Sequence, residues 1–216
     1  MLKKIEKIAK FLIISALTGL LVTMLMPDMA RSADVTAWAT VGSIYTCTPD
    51  NTAVSFGTVD NTKVYAASAS TTMTITTNDV IYLQAYDAGK AAGEPGLYCS
   101  TTTPPKVIGS ASDAFADTAT LVANTEGYGL RAATTSAGSN NTLNLSFRYG
   151  ISNQTVNVYY VGGLEQGSAN DVGVASTSAG ITTGRVVELG YYVAVASNTP
   201  AADYVDTITY TCTTTP

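Results

Sequence analysis

Beyond residue 33 the apolar residues recur at every second position, and a period of two leaves the chain little to become except strands with one face buried. Met73 and Ile75 alternate with Thr72, Thr74 and Thr76, and Ile81, Leu83 and Ala85 alternate with Tyr82, Gln84 and Tyr86. The same beat runs through Leu143, Leu145, Phe147 and Tyr149, through Val187, Leu189, Tyr191, Val193 and Val195, and through Tyr204, Ile208, Tyr210 and Cys212. Clusters of Gly, Pro, Asn, Asp and Ser separate the runs and supply turn geometry. The chain carries 34 Thr and 17 Ser. Mixed with Val and Tyr, these favour strands over helices. Ten to twelve short strands at this spacing predict an all-β domain, a sandwich or a barrel, over residues 34–216, with one core because no linker divides it.

Residues 1–33 read differently. Four lysines precede an apolar run from Phe11 to Met26, and Pro27 to Ala33 then brings a turn and small residues. This is the pattern of a secretory signal peptide, with cleavage expected before or just after Ala33. Sixteen residues fall short of the ~20 that span a bilayer, so membrane contact is expected only through this segment. The expected location is therefore secreted or at the cell surface.

Composition excludes whole chemistries. There is no histidine among the 216 residues. Nucleophilic sites that need an imidazole base and zinc sites with imidazole ligands are therefore closed to this chain. The formal charge is -5, and five of the eleven cations lie before residue 34. The acidic remainder repels phosphate backbones, so no nucleic acid is expected as a partner. Asp113 and Asp117, and Asp203 and Asp206, lack the spacing of a calcium loop and read as solvated loop charge. No catalytic residue, metal site or cofactor is expected, and the chain reads as a non-enzyme.

Three cysteines, Cys47, Cys99 and Cys212, in an exported chain imply a disulfide with one thiol over. First and last strands of a sandwich often lie side by side, which favours Cys47 with Cys212; Cys47 with Cys99 is the alternative. The leftover thiol is either a buried free cysteine or an intermolecular bridge. Around Trp38, the residues Val35, Ala37, Ala39 and Val41 alternate weakly: a core or edge strand, or a donor strand for a neighbouring subunit. Adjacent tyrosines in a strand must point to opposite faces. Tyr159 or Tyr160, and Tyr191 or Tyr192, should thus each place a ring outside, where it could stack on a sugar or mark a subunit contact.

Three stretches carry a resemblance. Ala53 to Thr58 holds a Phe-Gly turn and is followed by the strand Thr72 to Asn78; Ala123 to Leu130 reads Ala-Asn-Thr-Glu-Gly-Tyr-Gly-Leu; and Pro200 to Tyr210 reads Pro-Ala-Ala-Asp-Tyr-Val-Asp-Thr-Ile-Thr-Tyr. The first and third resemble the opening and closing of spore-coat-U-like and related secreted pilin-like β-sandwich proteins. All three in this order look like surface proteins of small-genome candidate-phylum bacteria. The resemblance implies an immunoglobulin-like β-sandwich and a structural or adhesive surface role, pilus- or coat-like, with copies of itself or a surface glycan or protein as partner. It implies no enzymatic site. One departure stands out: the family tends to place a cysteine near the end of the strand that here reads Thr74, Ile75, Thr76, Thr77, so its disulfide pairing is not carried over. A glycan-binding module using exposed tyrosines is the alternative expectation.

Overall fold

The computed structural model describes residues 39–88, 95–111, 118–150, 159–165, 172–178 and 180–214. The candidate signal helix, Val35, Ala37, Trp38, Asp113 and Asp117 lie outside the described residues. By contact the chain divides into Met1–Val41 and Gly42–Pro216. Of the first unit only Ala39, Thr40 and Val41 are described; they are exposed and run in irregular chain.

The second unit is all-β, and among the described residues no helix forms. Its strands are β1 (Tyr45–Pro49), β2 (Tyr65–Ala66), β3 (Thr71–Thr77), β4 (Tyr82–Asp87), β5 (Gly96–Cys99), β6 (Lys106–Gly109) and β7 (Thr118–Leu121). Then come β8 (Gly127–Thr134), β9 (Ser139–Asn140), β10 (Leu143–Leu145), β11 (Tyr159–Gly162), β12 (Val172–Thr177), β13 (Thr182–Ala194) and β14 (Ile208–Thr213). They form three antiparallel sheets. The largest runs β1-β3-β13-β8-β11-β7, with β2 and β9 also pairing β13; the second runs β10-β12-β4-β14; the third is the hairpin β5-β6.

The period of two does what it should along β3, β4 and β13. Met73 and Ile75, Leu83 and Ala85, and Val187, Leu189, Tyr191 and Val193 are all buried, while most of their neighbours face outward. The resulting core draws from all three sheets: Leu130 from β8, Val174 from β12, Leu97 from β5 and Ile108 from β6 join those residues in one cluster. Burying each such side chain contributes about 1.5–3 kcal/mol. A smaller cluster of Val64, Leu121, Val161 and Ala194 sits apart from it. β13 organises the large sheet because its thirteen residues pair β3 on one side and β8 on the other. Its register slips between Thr182 and Arg185. There Gly138 has φ 85°, and a Cβ on it would stand 2.4 Å from the Gly184 carbonyl oxygen, so only glycine fits.

One expected strand is broken. The alternation from Leu143 to Tyr149 predicts four residues on one face, but β10 stops at Leu145 and a turn occupies 147–149. The Ser146 carbonyl accepts the amides of both Tyr149 and Gly150 (3.1 and 2.9 Å), which reverses the chain. Phe147 is thereby thrown out to solvent at 82% exposure, and Arg148 turns inward beside Glu165 (3.6 Å).

Candidate functional site

A cleft of about 770 Å³ opens between β1 and β14. Each is the last strand in the order of its sheet, so the cleft lies where the large sheet and the second sheet both end. A disulfide joins the two strands, Cys47 in β1 to Cys212 in β14, with Cα atoms 6.5 Å apart. Cys99 is the remaining thiol; it is buried, with Sγ 3.1 Å from the Thr101 hydroxyl. The pair favoured by strand order is thus the bonded one, and the leftover thiol is a buried free cysteine.

Met73, Val54 and Ile208 make the cleft partly apolar, and its polar side is a set of phenols and carboxyls. Tyr191 projects from β13 and donates to Thr71 Oγ1 at 3.0 Å. Its oxygen also lies 3.0 Å from the Tyr210 hydroxyl. Burial pushes the Tyr210 and Tyr128 hydroxyls well above the usual tyrosine range, with Tyr191 reinforcing the first and Asp206 the second. Both therefore stay neutral donors at physiological pH.

Asp206 stands at the cleft wall just before β14. It faces Asp87, the last residue of β4, which is completely buried. Burial first, and the Asp87 carboxyl second, raise the Asp206 carboxyl from 3.8 to about 7. Its Oδ1 accepts the Thr207 amide at 2.6 Å. Asp87 accepts the amide of Gly96 at the start of β5, and its own amide donates to the Glu165 carbonyl at 2.9 Å. Asp206 is therefore not the solvated loop charge its sequence context suggests; of that pair only Asp203 is exposed. The reason is topological: Ile208 pairs Asp87 across β14 and β4, which brings a residue two positions earlier alongside the end of β4.

The expected exposed tyrosines separate. Tyr191 is 4% exposed and bonded at the cleft, which removes it from any outer aromatic strip. Tyr192, on the other face of β13, is half-buried and packs against Tyr159 with ring centres 5.5 Å apart. Tyr160 is half-buried too. Near Tyr192 a second groove of about 490 Å³ is lined by Arg131, Glu188 and Gly190. The Arg131 guanidinium carbon lies 5.7 Å from the centre of the Tyr192 ring. Of the weakly alternating segment, Ala39 and Val41 are exposed and belong to no strand. Among the described residues, no three acidic or cysteine side chains gather as a metal would need.

Sequence reasoning missed Asp87, Tyr128 and Tyr210 as a group, although a signal for the first was present. Asp87 falls in phase with Ile81, Leu83 and Ala85, so the pleat carries an acid to a core position. Asp206 falls in phase with Tyr204, Ile208 and Tyr210 in the same way. An acid on the apolar beat of a strand is a buried acid unless the strand ends first.

Fold and site together define a disulfide-closed all-β domain with a cleft between its terminal strands. No family model matches the chain, and no curated protein or solved structure matches it.

Proposed function

We propose that this chain is a non-enzymatic secreted or cell-surface structural or adhesive protein, an immunoglobulin-like β-sandwich that assembles as a pilus- or coat-like subunit. One observation carries the reading: the cleft lies between two strands that each end a sheet and are bonded to one another. A terminal strand offers a row of backbone donors and acceptors to an added strand, and apolar pockets beside it take alternate side chains. Two of the family-like stretches, at Ala53 and at Val205 to Tyr210, line this cleft. The partner proposed is a second copy of the chain, with Val35, Ala37, Ala39 and Val41 as the segment offered. The disulfide and the signal-like first 33 residues agree with life outside the cytoplasm.

The test is the native mass of the exported protein, without and then with reductant, for the full chain and for one lacking residues 34–41. Multiples of the subunit mass that survive reduction and vanish on deletion are expected. A monomer under all conditions overturns assembly. A second reading, a glycan-binding module, is favoured by the groove where Tyr192 and Arg131 meet. A monomer that binds an oligosaccharide, and loses it on Tyr192→Ala, would establish that reading instead.

A further inference from the structure

The residues that wall the cleft ahead of β14 are tied to the rest of the domain by Tyr204, which packs on the core, and by backbone hydrogen bonds. Val205 exchanges two backbone hydrogen bonds with Tyr98 of β5, both 2.9 Å, and the Thr207 carbonyl accepts the amide of Ala88 at 2.8 Å. Between these ties sits Asp206. Its Oδ2 is shut off from water with no hydrogen-bond partner, although the Asp87 carboxyl and the Tyr128 hydroxyl both stand close enough to act on it. Asp87 is itself buried and fixes the start of β5 through the Gly96 amide. The wall segment and the β5 hairpin therefore meet at two carboxyls. Ionised together in a buried site they repel; one shared proton turns the same contact into a hydrogen bond.

We propose that Asp87 and Asp206 form a proton-operated latch, which fastens residues 203–207 to the β5 hairpin while the pair holds a proton and loosens that wall of the cleft when the proton leaves. The latch stands on the buried Asp87 carboxyl, on the shielded Oδ2 of the half-buried Asp206 and on the backbone ties around them, and it does not depend on what the cleft takes up. The titratable and charged groups around it are Asp87 from β4, Glu165 with its partner Arg148 (3.6 Å) beside the Asp87 backbone, Tyr128 from β8, and, beyond Tyr128, Tyr191 from β13 and Tyr210 from β14. Tyr128 and Tyr210 stay neutral donors, so the change of charge belongs to Asp206, set against the buried Asp87 carboxyl. Its sign is set by the carboxyl of Asp206, raised to about 7 from 3.8. The closed form binds the proton more tightly than the open form. Closure is then firmest in acid, weakens as the pH climbs from 3.8 towards about 7, and levels off above.

Hydrogen exchange of the backbone amides in residues 203–208, corrected for the intrinsic pH dependence, reads the latch directly in the full oxidised chain. Protection of this segment should fall by up to about tenfold per pH unit between roughly pH 4 and pH 7, while β3 and β13 amides keep theirs. In Asp206→Asn the dependence should flatten. A wild-type segment whose protection ignores pH overturns the latch, as does an asparagine variant that keeps the full slope. Should that variant fold poorly, carbon-13 shifts of the aspartate carboxyls in the wild type decide: one group titrating near neutrality supports the latch, and all groups titrating at ordinary acid values overturn it.

Discussion

Removing the disulfide is the most quantitative perturbation the structure offers. Cys47 and Cys212 are separated by 165 residues in sequence, so their bond closes nearly the whole domain into one loop. In the chain-entropy account a loop of this length withholds about 5 kcal/mol of freedom from the unfolded chain at 25 °C. Domains of this size are commonly stable by only about 5–15 kcal/mol. The double variant Cys47→Ser, Cys212→Ser should therefore lose several kcal/mol. The loss should come with a steeper dependence on urea, because the unbridged chain exposes more surface when it unfolds. Equilibrium urea unfolding of the oxidised protein and of the variant, followed by far-ultraviolet circular dichroism, measures both quantities. A loss below about 1 kcal/mol with an unchanged slope would refute the argument that the bond acts on the unfolded state. A large loss with an unchanged slope would refute it in another way, by placing the stabilisation in native packing, where both cysteines adjoin the core.

Three further outcomes are expected. Tyr191→Phe strips the hydroxyl that joins Thr71 and Tyr210, each 3.0 Å away, and should cost about 1–2 kcal/mol in urea unfolding; a neutral result would show the network is idle. Gly129→Ala would set a Cβ 2.4 Å from Val161 Cγ2 and 2.9 Å from the Gly162 oxygen, so thermal unfolding should report a loss of about 1–3 kcal/mol. Phe147→Ser, at a side chain 82% exposed, should change stability by no more than about 0.5 kcal/mol. A cost near 3 kcal/mol there would restore the unbroken strand that the alternation suggests.

That last residue marks how far the sequence can be read. The beat of two identified β3, β4 and β13 correctly because each is long enough for burial of one face to dominate every local preference. It misread 143–149, where the beat is equally clean, because Ser146 can close a turn and Gly150 permits a tight approach, a Cβ there meeting Leu145 at 2.9 Å. Alternation describes which face a residue would take if the strand continued; it does not say that the strand continues. The tyrosine pair at 191 and 192 shows the rule at its best. Opposite faces were required, and one ring went to the cleft while the other went to the outer groove. Which was which depended on the parity of Leu189 and Val193, already visible on the same strand.

The site was harder to foresee than the fold because it belongs to no single stretch of chain. Asp87 ends β4, Asp206 precedes β14, Tyr128 lies on β8 and Tyr191 on β13, so strands from two sheets must be in place before the group exists. What the sequence does hold is each member's phase. Two acids occupy apolar beats, and an acid carried inward by the pleat must find a proton, a cation or another polar group. The register of β14 against β4 brings these two to one another. A strand-phase acid is thus worth pairing with every other such acid in a chain before it is dismissed as loop charge, since the energetics of burial make each one an unfinished contact.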